Sequence, residues 1–249
     1  MSDPVPPVVP QPQYSAPAYP PPQPQFGPPP THGQPNAQGM YLGAGSLWSS
    51  PVRPLRGIGG VTRWLILGSA VLALVSIIVE VWGIVTLDAY SLGSVGMGAL
   101  QAYDSLSGLI SLVSLIVLAA SGICWVVWQY RAAASLPAGV LRRSPAWHAG
   151  AWFIPVVSLW LPLQNISDLA RGSRAALGGG TRAAWWALWI VSGLTGGIAS
   201  RLVVSAHTIP SLTGALMISI LSDVLSIAAA VFAWIVVARI TDAIDPAYR

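Results

Sequence analysis

Four long apolar runs, at about residues 62–86, 107–130, 184–206 and 211–239, constrain this chain more than any other feature in it. A membrane-spanning helix needs roughly 20 consecutive, mostly apolar residues, and each run reaches that length. Each run is apolar all round, which does not suit a helix with one face in water. Composition agrees. Of 249 residues, 54% are hydrophobic and only 8% are charged, against about 25% in soluble domains. The expected fold is all-α integral membrane, with four transmembrane helices. The first run starts too late and is too long for a cleaved signal.

Residues 1–57 are a different material. They hold sixteen of the 22 prolines, in runs such as YPPPQPQFGPPP from Tyr19 to Pro30. Proline fixes φ and removes a backbone donor, so helix and sheet are both disfavoured. Too few apolar side chains are present to offset the entropy of ordering. A disordered, proline-rich cytoplasmic tail is therefore expected, followed by a transmembrane domain over 58–249. The tail reads either as a strip for a proline-binding partner or as a solvated spacer.

Orientation follows from the arginines, which are the only cations: there are twelve, and no lysine. The loop between the first two runs, about 87–106, carries none. The region from 131 to 183 carries Arg131, Arg142, Arg143, Arg171, Arg174 and Arg182. Cytoplasmic loops hold the cationic excess. This puts both termini and the 131–183 region inside, in the cell membrane, and leaves Arg201 as the one arginine near the outer side. A net charge of +4 then reads as attraction to a membrane surface rather than to nucleic acid.

The stretch SPAWHAGAWFIPVVSLWLPLQ, Ser144 to Gln164, tests that topology. It is nearly free of charge, but Pro155 and Pro162 interrupt it. If it crossed, every later arginine except Arg201 would face outward. It should instead lie in the inner interface or re-enter from it, as part of a cytoplasmic interfacial segment over 144–177. Its tryptophans would join an interfacial aromatic belt with Trp64, Trp125, Trp128, Trp185, Trp186, Trp189 and Trp234. Pro162 suits the first turn of a further helix. That helix should be amphipathic, with Leu163, Ile166, Leu169 and Ala170 on one face. Gln164, Asn165, Asp168, Arg171 and Arg174 would form the other, ending at Gly178-Gly179-Gly180.

This interfacial motif carries a resemblance. Arg143, Ser144, Pro145, Trp147, Trp152, Phe153, Pro155, Leu159, Trp160 and Pro162, then Ser173 and the closing VVARIT from Val236 to Thr241, resemble the actinobacterial membrane-protein family filed as domain of unknown function 4328. The likeness spans roughly residues 60–245. The family pattern has asparagine and a cation where this chain has Ser158 and Leu161. The resemblance implies a multi-span membrane domain and no particular activity.

Three ionisable residues interrupt the spans: Glu80, Arg201 and Asp223. A lone charge at mid-bilayer costs about 2.5–3.5 kcal/mol on insertion scales. Glu80 and Arg201 lie at matched depth, about 27 and 25 Å from the inner ends of their runs, so a structural ion pair is expected. Asp223 lies deeper, with no cation at its level. Small residues recur along each run: Ser69, Ala73, Ser76 and Gly83; Ser107, Ser111, Ser114 and Ser121; Gly193 and Gly197; Ala215, Ser219, Ser222 and Ser226. Close helix packing explains them most simply, and a polar pathway is the sharper reading. HExxH, GxSxG and GxxxxGK[ST] are missing. His32, His148 and His207 are far apart, so no metal site is expected, nor any cofactor. Cys124 is the only cysteine and excludes an intrachain disulfide.

A non-enzymatic scaffold or interaction protein is the first functional expectation. A small transporter or ion-pathway subunit using Asp223 and Glu80/Arg201 is the alternative. The candidate partners are the lipid bilayer, anionic headgroups, a cytoplasmic protein at the tail and a second copy of the chain.

Overall fold

The computed structural model describes residues 55–245. The expected tail over 1–57 lies almost wholly outside them. The described residues form helices and loops, with no strand among them. Helix α1 spans Leu55–Ser91, α2 Met97–Ala134, α3 Pro145–Gly150, α4 Leu161–Gly172, α5 Gly179–Ser205 and α6 Ile209–Ile244. Two single 3-10 turns, Ala151–Phe153 and Val157–Leu159, join α3 to α4.

Helices α1, α2, α5 and α6 contain 37, 38, 27 and 36 residues. At 1.5 Å per residue they measure about 40–57 Å, against roughly 30 Å of hydrocarbon. All four are long and apolar enough to cross a membrane. They also outrun the apolar stretches: α1 is under way at Leu55 and α2 at Met97. Helix α6 starts where Thr208 and Ser211 cap each other's free backbone N–H groups and Pro210 occupies the first turn.

The long helices pack as a row, α2 on α1, α1 on α6, and α6 on α5. The short turns after α1 and before α6 lie at one end, the far end. The start of α1 and the finish of α6 meet at the other, where the Arg56 backbone N–H donates to Asp245 Oδ2 at 3.2 Å. There the row is also drawn together by Trp125 of α2 and Trp185 of α5, with ring centroids 5.1 Å apart. Helices α3 and α4 lie at this end, which we call the capped end.

Each end has its own core. The capped-end core includes Trp125, Trp128, Ile166, Leu169, Trp185, Val236 and Ile240. The far-end core is Val79, Leu87, Tyr103 and Leu216. Close approaches fix both. A β-carbon on Gly59 would lie 2.8 Å from Thr241 Oγ1, and one on Gly83 would overlap the Tyr103 ring.

Two local expectations need correction. Helix α4 ends at Gly172, before the glycine run. Arg174 takes a left-handed backbone, φ 55°, and the Ala175 N–H reaches back to the Ala170 carbonyl at 3.0 Å. That is a Schellman stop with arginine in the place usually given to glycine. Gly193 and Gly197, read as a packing pair, meet no neighbouring side chain; Gly196 does, against Ser222. The face that turns inward on α5 runs through Trp185, Ser192, Gly196 and Ala199.

Candidate functional site

The segment from Ser144 to Gln164 forms no spanning helix. Ser144 is extended, Pro145 opens α3, and the chain then turns twice through single 3-10 turns on either side of Pro155. The Ser158 hydroxyl donates to the Pro155 carbonyl at 2.7 Å and closes the second turn. Pro162 falls in the first turn of α4, where its missing N–H costs nothing. The segment folds over the ends of the long helices as a cap.

Indoles hold the cap in place. Trp152 packs edge-on against Trp125, Trp186 and Trp189, with centroids 6.4, 6.0 and 5.3 Å away. Its Nε1 donates to Gln129 Oε1 at 2.8 Å, and Trp186 Nε1 donates to the Leu159 carbonyl at 3.2 Å. Trp128 Nε1 donates to Thr241 Oγ1 at 3.0 Å and ties α2 to α6. Trp125, Trp128, Trp185 and Trp186 are buried. The expected aromatic belt is therefore, for these residues, a protein core. Trp64, Trp147, Trp160 and Trp189 do present exposed rings.

Helix α4 docks on that core with more of its surface than its sequence pattern indicates. Ile166, Leu169 and Ala170 are buried as expected, but so are Asn165 and Asp168, which the pattern placed on the polar face. Both are satisfied. Asn165 Nδ2 donates to the Trp147 carbonyl at 3.1 Å. Asp168 accepts from the Arg142 backbone N–H at 2.8 Å and from Arg171 Nη2 at 2.7 Å. His148, expected at an interface, is 0% exposed. Neither of its ring nitrogens has a hydrogen-bond partner among the described residues. Burial pushes its pKa below the usual histidine value, Asp168 opposes that shift, and Arg143 adds to it. Gln129, His148, Asn165 and Asp168 are buried polar residues whose placement the sequence did not reveal. The scarcity of charge around His148 is the only hint.

On its outer side the cap is open. Phe153, Val156 and Leu159 project, with Phe153 77% exposed. Beside them lies a cavity of about 460 Å³ bounded by Arg142, Arg143, Ser144, Trp147 and Trp160. Arg143 Nη2 donates to Gln164 Oε1 at 2.8 Å, and Nη1 reaches Asn165 Oδ1 at 3.5 Å. The interfacial-motif residues Arg143, Pro145, Trp147, Trp152, Phe153, Pro155, Trp160 and Pro162 thus all lie in one folded unit. Trp152 and Pro162 are packed inward, whereas Phe153, Pro155 and Trp160 are exposed.

The residues within the spans are arranged differently from the expectation. Glu80 and Arg201 do not pair. The Glu80 carboxylate accepts a hydrogen bond from Ser219 of α6, while Arg201 is exposed and forms no ion pair among the described residues. Helix α6 lies between α1 and α5 in the row. Matched depth alone could not reveal that. Asp223 sits one helical turn from Ser219 on the same face of α6, about 6 Å along the axis. With Ser219 bonded to Glu80, the two acids are closer in depth than expected. Among the described residues, no cluster of three His, Cys, Asp or Glu side chains is suited to a metal.

Residues 93–242 match the family described as "Domain of unknown function (DUF4328)". The chain belongs to this family. The match runs from the turn before α2 almost to the end of α6 and leaves α1 outside. The family description carries no activity, substrate or partner. No curated protein and no solved structure matches the chain.

Proposed function

We propose that this DUF4328 chain is a non-enzymatic scaffold or interaction protein of the cell membrane, with the capped end in the cytoplasm. The observation that carries this reading is the cap itself. Its packed indoles and the hydrogen bonds of Trp152, Asn165 and Asp168 hold it together as one unit, and its outer side presents apolar and cationic groups. Nine of the ten described arginines, Arg56, Arg63, Arg131, Arg142, Arg143, Arg171, Arg174, Arg182 and Arg239, belong to the capped half of the chain. That asymmetry supports the orientation. The proline-rich residues 1–57 would be delivered to the same side and add a strip for a protein partner.

The test has two parts. In a Cys124→Ser background, a cysteine at Ser94 should react with an impermeant reagent from outside, and one at Ala138 only after the inner face is opened. The reverse pattern would invert the orientation. Cross-linking in membranes should then recover the same cytoplasmic protein with the full chain and lose it on deletion of residues 1–57. Identical recovery from both would remove the tail from the mechanism.

One observation favours the alternative, an ion-pathway subunit. Glu80 bonds Ser219, Asp223 lies one turn further along α6, and neither acid has an ion pair among the described residues. Intramembrane acids of this kind mark proton and cation routes in other proteins. Flux through proteoliposomes that vanished with Asp223→Asn would shift the balance to this second reading.

A further inference from the structure

We propose that the cavity between Arg142, Arg143, Trp147 and Trp160 binds the phosphate of an anionic lipid headgroup. The inference rests on the membrane placement of the capped end proposed above, and not on partner recruitment by the tail.

Charge is the first argument. Arg143 is held by two neutral amide oxygens, on Gln164 and Asn165. These orient the guanidinium without neutralising it, and Arg143 has no ion pair among the described residues. Arg142 Nε stands 3.8 Å from Asp168 Oδ1, but Asp168 is already engaged by Arg171 and by the Arg142 backbone. Two guanidinium groups thus share one carboxylate and Arg143 has none among the described residues, so two of the three positive charges remain. The Arg142 side chain is 68% exposed and free to turn toward a ligand. Arginine's planar set of donors suits phosphate oxygens in particular.

The second argument is the surroundings. Trp147 and Trp160 are 48% and 46% exposed, and neither indole N–H has a partner among the described residues. Next to them project Phe153, Val156 and Leu159. A soluble anion has no use for that apolar surface. A lipid uses both: its phosphate sits at headgroup level with the arginines and indole N–H groups, and its acyl chains run along the exposed apolar side chains. The cavity, about 460 Å³, falls in the usual range for ligand sites, roughly 300–1,000 Å³.

The full chain in a neutral detergent can be titrated with phosphatidylglycerol, phosphatidylcholine, glycerol 3-phosphate and inorganic phosphate, with bound molecules counted by native mass spectrometry. One phosphatidylglycerol should bind ahead of the rest. Arg142→Gln should weaken it about five- to tenfold, and Arg174→Gln, an equal loss of charge at an exposed site outside the cavity, should not. Trp160→Ala should weaken the lipid as well. Equal binding of phosphatidylcholine would overturn the proposal. So would equal weakening by Arg174→Gln, which would mean a diffuse charge effect. Glycerol 3-phosphate or inorganic phosphate binding as tightly as the lipid would make this a soluble-anion site instead. The titration does not depend on sidedness. An inverted labelling pattern would sink the orientation and leave the lipid result standing, and the converse also holds.

Discussion

At the capped end Trp128 is fully buried and its indole N–H is bonded to Thr241. At the far end the largest buried ring is Tyr103, lying over Gly83. The first core joins α1, α2, α4, α5 and α6 and ties down the buried Asn165 and Asp168, although the His148 ring and the Trp125 indole N–H have no partner among the described residues. The second is four residues from α1, α2 and α6. The polar ties differ too. Indole hydrogen bonds run from Trp128 to Thr241, Trp152 to Gln129 and Trp186 to the Leu159 carbonyl at the capped end, whereas the far-end cluster is apolar but for the Tyr103 hydroxyl. A domain built this way should be cemented at one end and looser at the other.

Truncation gives the largest test of that contrast. Trp128→Ala should cost about 3–5 kcal/mol, the range for deleting a buried aromatic in a water-facing core. It also leaves Thr241 without its donor. Leu216→Ala at the far end should cost about 2–3 kcal/mol, the low end for a buried leucine, because the small cluster around it can relax into the space. Reversible unfolding in mixed micelles would measure both. Equal losses would mean that the two ends are held alike.

Acid should sharpen the same contrast at the capped end. His148 is neutral and buried there, with its pKa depressed by desolvation, against an ordinary value of 6.5. Below that value the unfolded chain binds a proton that the folded chain refuses. Stability is therefore intact above about pH 6.5 and falls as the pH drops toward the depressed folded value, by up to about 1.4 kcal/mol per pH unit. His148→Gln should flatten this slope, even if the substitution lowers stability uniformly. The measurement is the melting temperature of both proteins across pH 7.5 to 5. Unchanged slopes would show that His148 is not the group being protonated.

The sequence revealed these regions unequally, and the reasons are physical. The four spans were legible because twenty apolar residues in a row are a property of composition, independent of what they touch. Their ends were not. The glycine- and serine-rich residues around Met97–Leu106 read as loop, yet much of that stretch belongs to α2. The non-crossing of 147–163 could be inferred from arginine placement and proline spacing. The burial of Trp125, Trp128 and Trp185 could not. An indole near the membrane interface looks the same in sequence whether it faces headgroups or other indoles. For Glu80 and Arg201, helix rise gave depth but not neighbours. Only the order of helices in the row shows that α6, not α5, faces Glu80.

The smallest effect concerns that pairing. The Ser219 hydroxyl donates to Glu80, so the pair should couple. Glu80→Gln removes the charge but keeps an acceptor, so Glu80→Ala is the cleaner partner for Ser219→Ala in a double-mutant cycle. Interhelical hydrogen bonds in membranes couple by about 0.6 kcal/mol on average and by about 1.7 at most. A value in that interval is expected. It is small because a half-buried carboxyl can find water or another hydroxyl when Ser219 is lost. Glu80→Ala and Arg201→Gln should be additive within about 0.3–0.5 kcal/mol, as for sites that share no partner. Both cycles can be run in the same micelles as the core truncations. Coupling of Glu80 to Arg201 above that to Ser219 would restore the ion pair and require α1 and α5 to lie side by side. It would also bring the far end closer in character to the capped one, where Asp168 is paired with Arg171.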